Sequence, residues 1–138
     1  MKKIKLGVLI TILLCIVIFV AVEVEKPSIN SRLPYTVHVE ETDQKPDVIA
    51  YRILFDFMKG LESEGIIDHA YYTRFTKLSG DENSFVVAVV FEIQLHERRQ
   101  ATDDAWGEVQ EGRVVPDIVW KLTIDKVKNR TYTMTNIE

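Results

Sequence analysis

Three histidines, His38, His69 and His96, are the residues of this chain best suited to hold a metal ion or move a proton. A zinc site needs three or four converging ligands, commonly supplied in closely spaced pairs. Here each histidine stands far from the others, and none has a second ligand at a short metal-site spacing, so surface positions on strands are expected. Asp103, Asp104, Glu108 and Glu111 could gather a calcium ion through their oxygens. They lack the ligand spacing and turn glycine of an EF-hand, so a solvated acidic loop is the plainer reading. Acid–base catalysis requires a carboxyl with a raised pKa in a pocket. Only Asp56, Asp68 and Glu92 interrupt apolar stretches, and the patterns below put Asp56 and Glu92 on wet faces. Tyr71 or Tyr72 could serve an active site built inside a cone of sheet. There is no Gly-x-Ser-x-Gly and no glycine-rich phosphate loop, because the six glycines are dispersed. Asn129-Arg130-Thr131 matches a glycosylation sequon, which matters only in a glycosylating pathway. The sequence therefore assigns no catalytic residue, no cofactor and no metal.

The elements that would position these groups are clearer. Residues 35–41 alternate, with Tyr35, Val37 and Val39 on one face, as a first strand would. Residues 46–64 have helical periodicity. Ile49, Ile53 and Phe57 recur every four positions beside Ala50, Leu54, Met58 and Leu61, while Arg52, Asp56, Lys59 and Ser63 make a wet stripe. Pro46 suits a first helical position and Asp47 the positive end of the dipole. Gly65 is the expected stop. Residues 67–78 are rich in Tyr, Thr and Phe, as strands are, and 79–83 (SGDEN) read as a turn. Residues 84–97 form the strongest strand, with Phe85, Val87, Val89, Phe91, Ile93 and Leu95 on one face. Residues 98–117 are the least legible, and part of them is expected to extend the flanking strands. Residues 118–125 alternate, with Ile118, Trp120, Leu122 and Ile124 inward, and 131–137 close the sheet. The order is strand, helix, four strands: an α+β fold with one long helix packed in a curved antiparallel sheet.

This order, over residues 35–137, resembles the cystatin-like fold, in which a curved sheet wraps one helix; the cones of the NTF2-like group are a neighbouring likeness. Inhibitory cystatins wedge a Gln-x-Val-x-Gly hairpin and a Pro-Trp hairpin into papain-like proteases. The corresponding first hairpin here reads Lys77-Leu78-Ser79-Gly80-Asp81-Glu82-Asn83, and no Pro-Trp pair occurs, so the resemblance does not imply that activity. The NTF2-like likeness implies a small-ligand-binding or enzymatic cone as the alternative function.

Residues 6–22 contain no charged side chain. At about 1.5 Å per residue such a run nearly spans a bilayer core of roughly 30 Å, and the stem of Lys5 can lengthen it by snorkelling. The positions before Ala21 and Ser28 suit signal cleavage poorly, since Phe19 and Lys26 stand where small residues are wanted. Leu13 and Leu14 likewise argue against a lipoprotein site at Cys15. A retained single-pass membrane anchor is therefore expected, with secretion after cleavage as the alternative. Lys2, Lys3 and Lys5 precede the run and Glu23 and Glu25 follow it. This predicts a cytoplasmic start over residues 1–5 and an extracytoplasmic domain over 35–138, joined by a polar stalk over 23–34. The part beyond residue 22 holds all 21 Asp and Glu but 14 of the 17 Lys and Arg, a net charge of −7. That balance, with Arg98-Arg99 its only basic pair, argues against nucleic acid. Cys15, the sole cysteine, lies inside the apolar run, so the domain needs no disulfide or thiol chemistry.

What remains is a surface. If the odd-numbered face of residues 85–95 meets the helix, then Val86, Ala88 and Val90, with Val119 opposite, lie on the outer face of the sheet. An uncovered apolar patch there marks a protein contact, with a partner or with a second copy. Trp106, Val109 and Val114 could instead cover it from within the chain. The functional expectation is a non-enzymatic interaction or regulatory domain of an envelope complex, held to membrane lipid by its N-terminal helix.

Overall fold

The computed structural model describes residues 29–40, 44–96, 106 and 113–138. Five strands form one antiparallel sheet: β1 (Tyr35–His38), β2 (Ile67–Gly80), β3 (Ser84–Leu95), β4 (Val114–Lys128) and β5 (Thr131–Ile137). Their spatial order is β1-β5-β4-β3-β2. A single helix, α1 (Pro46–Ser63), connects the two edge strands and packs on one face. The α+β class and the strand–helix–four-strand order agree with the sequence reading. The apolar run at residues 6–22 lies outside the described residues. Among the described ones, no helix is long and apolar enough to cross a membrane.

Helix α1 has the boundaries its chemistry requires. Pro46 occupies the first turn, where its missing N–H is no loss, and Asp47 follows it. At the other end Gly65 takes φ +70°, its N–H bonds to Glu62 O at 3.0 Å, and Ile66 N–H reaches Leu61 O at 3.0 Å. This pairing is a Schellman stop, which needs a left-handed residue at Gly65. The helix has no basic residue in its last turn. Arg32 supplies one from outside, with Nη1 2.5 Å from Glu64 Oε2. Positive charge there also suits the negative end of the helix dipole.

Arg32 belongs to a 3-10 turn, Ile29–Arg32, in which Ile29 is buried. Leu33 packs on the same core. The packed unit thus reaches back to Ile29, through residues whose polar composition reads as stalk. The remainder of that stretch, 23–28, is outside the described residues.

The core lies between α1 and the inner face of the sheet. Ile49, Ala50, Ile53, Leu54, Phe57, Met58 and Leu61 meet the odd-numbered residues of β3 and Ile118, Trp120, Leu122 and Ile124 of β4, all of them buried. The helix face and the β3 register are those the sequence predicts. Both long strands carry irregularities. β4 begins at Val114, four residues before the clean alternation, and slips against β3 between Phe91 and Ile93. Pro116 and Asp117 (φ 53°) form this bulge, which lets Val115 and Ile118 both point inward. β2 slips against β3 at three places, between Ile67 and His69, Tyr72 and Arg74, and Lys77 and Ser79.

Candidate functional site

The structure scatters the candidate chemical groups. His38 ends β1, with Nδ1 3.4 Å from Thr131 Oγ1. His69 lies on β2 with Nδ1 3.6 Å from Glu62 Oε1. His96 follows β3, with Nδ1 2.7 Å from Asp68 Oδ1; Arg113 Nη1 lies 3.8 Å from the other oxygen of that carboxylate. The His96–Asp68 pair is exposed and the His38–Thr131 contact part-buried, and among the described residues no group of three or more His, Cys, Asp or Glu could hold a metal ion. Asp103, Asp104, Glu108 and Glu111 lie outside the described residues. Asp56 is on the wet stripe, as expected, but it has a partner that periodicity could not show: the Tyr35 hydroxyl donates to Asp56 Oδ2 at 2.5 Å. Partial burial, then this bond, push the Tyr35 phenol up to about 12. Burial also raises the Tyr72 phenol, whose ring packs among Tyr51, Phe75 and Phe91 beside the helix.

The outer sheet face is the remaining candidate, and its two halves differ. Toward β1 and β5 it is polar and internally bonded. Thr36 Oγ1 and Thr133 Oγ1 are 2.7 Å apart. Along the middle of β3 it is apolar, past Ser84, whose Oγ donates to Asp125 Oδ1 at 2.6 Å. Val90 pairs with Val119, Ala88 with Lys121 and Val86 with Thr123. On the other side Val90 pairs with Arg74 and Ala88 with Thr76. Val86, Ala88 and Val90 are half-buried, and Val119 is 58 % exposed. The β4–β5 ladder starts at Leu122, with Lys121 bonded to Glu138 just beyond it, so among the described residues the segment around Val119 has a partner strand on one side.

Trp106 bears directly on whether the chain covers this patch itself. It is buried at 5 % exposure and stacks on Trp120, with centroids 5.3 Å apart and planes 20° apart. Trp120 points to the inner face, where it also meets Phe91 edge-on at 4.9 Å. Trp106 thus joins the core on the side opposite Val90. Val114 is 43 % exposed, and Val109 lies outside the described residues.

The sheet's edges are poorly suited to adding a strand. β1 is four residues long. β2 is long but bulged at three places and carries Arg74 and Lys77. The edge of β4 that no described strand pairs holds Pro116 and a left-handed Asp117. Bulges, proline and charge are the usual means of blunting an edge against pairing. No known protein family, curated protein or solved structure matches this chain.

Proposed function

We propose that the chain is a membrane-anchored, extracytoplasmic interaction domain with no catalytic role, and that Val86, Ala88, Val90 and Val119 take a protein partner on the outer face of the sheet. The observation that carries this reading is the placement of Trp106. The aromatic residue best able to cover the valines from within the chain stacks on Trp120 in the core instead. The blunted edges support the same conclusion, because they leave the face as the surface through which the sheet can associate. The anchor and its polarity rest on the uncharged run at residues 6–22 and on the lysines that precede it. The cystatin-like likeness fits the order of elements and carries no functional weight.

Photo-crosslinking tests the reading. A photoreactive residue at position 119 should capture a discrete protein, or a second copy, in native membranes, while one at Val127, exposed at the far end of the same strand, should not. Capture of nothing at 119, or of the same species at both positions, would contradict it.

A further inference from the structure

The docked 3-10 turn has a geometric consequence for a tethered domain. The apolar run ends at Val22 and Ile29 is already buried in the domain, leaving residues 23–28 as the connection. Fully extended, such a connection reaches at most roughly 20 Å. Its point of attachment is fixed, because Arg32 pairs with Glu64 at the C-terminus of α1. The same end of the domain holds the start of β2, the end of β3 and the start of β4: Ile66 O accepts from His96 N, and Arg113 O accepts from Leu95 N. The opposite end holds the β2–β3 and β4–β5 turns, which are joined there by Lys126 N donating to Asn83 O. β3 has 12 residues, so the two ends are separated by roughly 40 Å along the strands.

We propose that the end bearing Ser63, Glu64, Asp68, His96 and Arg113 faces the lipid headgroups at close range, and that the turn at Asp81–Asn83 points away from the bilayer. This rests on the anchor reading above. It follows from two lengths: the tether is short beside the domain, so the domain cannot turn over without releasing Ile29. The strands then run away from the bilayer, and the outer sheet face stands along the membrane normal, open to a neighbour held in the same membrane. Among the described residues at that end, Arg32 pairs with Glu64 and Arg113 lies near Asp68.

The test uses the full chain. Cys15 is the sole cysteine, so Cys15→Ser followed by Ser63→Cys or Glu82→Cys gives single labelling sites at the two ends, both exposed. Each is labelled with a fluorophore and reconstituted in phosphatidylcholine vesicles carrying a spin-labelled headgroup. The label at 63 should be quenched several-fold more strongly than the label at 82. Adding Ile29→Asp, which undocks the turn and lengthens the tether, should narrow that difference. Equal quenching at the two sites, or stronger quenching at 82, in chains that float with the vesicles would overturn the orientation while leaving the anchor intact. A chain that does not float with vesicles would overturn both.

Discussion

The two faces of β3 are built from nearly the same residue types and do different things. Its inner residues, from Phe85 to Leu95 in steps of two, are all 7 % exposed or less, each against the helix or β4. Its outer residues Val86, Ala88 and Val90 are as apolar, yet no helix and no described segment lies on them. A strand buried on one face is stable with polar residues on the other, and the outer end of the same strand follows that rule with Glu92 and Gln94. Packing against the helix accounts for the inner face; the outer valines are only half-buried among the described residues, and the proposed interface gives them a partner.

The largest effect should come from the inner face. Phe91→Ala and Trp106→Ala each remove a large buried ring that touches Trp120, and each should cost about 3–5 kcal/mol in a urea melt. Trp106 sharpens the contrast, because it stands in a segment with little regular pattern. If its removal cost nothing, the Trp106–Trp120 stack would not be part of the core, and Trp106 would again be available to the outer face.

The next effect lies at the β2–β3 turn. Gly80 has φ +97°, and a Cβ built there would lie 2.1 Å from Ser84 O and 2.5 Å from Phe85 Cα, both backbone atoms. Gly80→Ala should therefore destabilise by at least ~2 kcal/mol, from left-handed strain and clash together. A neutral result would mean that the turn relaxes and does not pin the register that sorts the two faces. Asp81 stabilises the same turn by accepting from Asn83 N and Ser84 N at 2.8 and 3.0 Å, and these bonds hold its carboxyl below the usual range.

A smaller effect belongs to the Tyr35–Asp56 contact. Asp56→Ala should cost about 0.5–1 kcal/mol, since an exposed charge-assisted bond is worth less than a buried one. The pH dependence has a definite sign. Folding raises the Tyr35 phenol from 10.0 to about 12. Its contribution is therefore complete below pH 10 and is lost as pH rises through 12. Denaturant melts between pH 9 and 12 should show this loss, and Tyr35→Phe should reduce it; an unchanged alkaline slope would contradict the assignment.

How much of this was legible in sequence depended on periodicity. Helix α1 and β3 keep an uninterrupted period, and their faces follow from it, whereas β5 skips a residue at Thr135 against β4, so Tyr132, Met134 and Ile137 all point inward. β2 and the start of β4 did not yield their faces, because bulges break the alternation. The inward residues of β2 are Ile67, Ala70, Tyr72 and Phe75, spaced by three, two and three. In β4 the Pro116–Asp117 bulge puts Val115 and Ile118 on one side, which no period-two pattern would connect. The docking of Ile29 and the Tyr35–Asp56 bond are contacts between distant segments, and one-dimensional spacing carries no trace of them. The alternation of β3 and β4 puts Val86, Ala88, Val90 and Val119 on the face away from the helix, but it carries no trace of the side Trp106 takes, which is the core beside Trp120.

The smallest expected change in stability accompanies the most direct test of the central claim. Val90→Lys, made alone and with Val119→Lys, puts charge on the outer face without touching the core. Chemical crosslinking of the full-length chain in native membranes, read beside the melting temperature of the purified protein, separates the two faces. The account predicts a melting temperature within a few degrees of the parent and loss of the crosslinked species. A domain that unfolds on this substitution, or one that keeps its crosslinked partner unchanged, would show that the outer valines serve the fold itself or serve no contact at all.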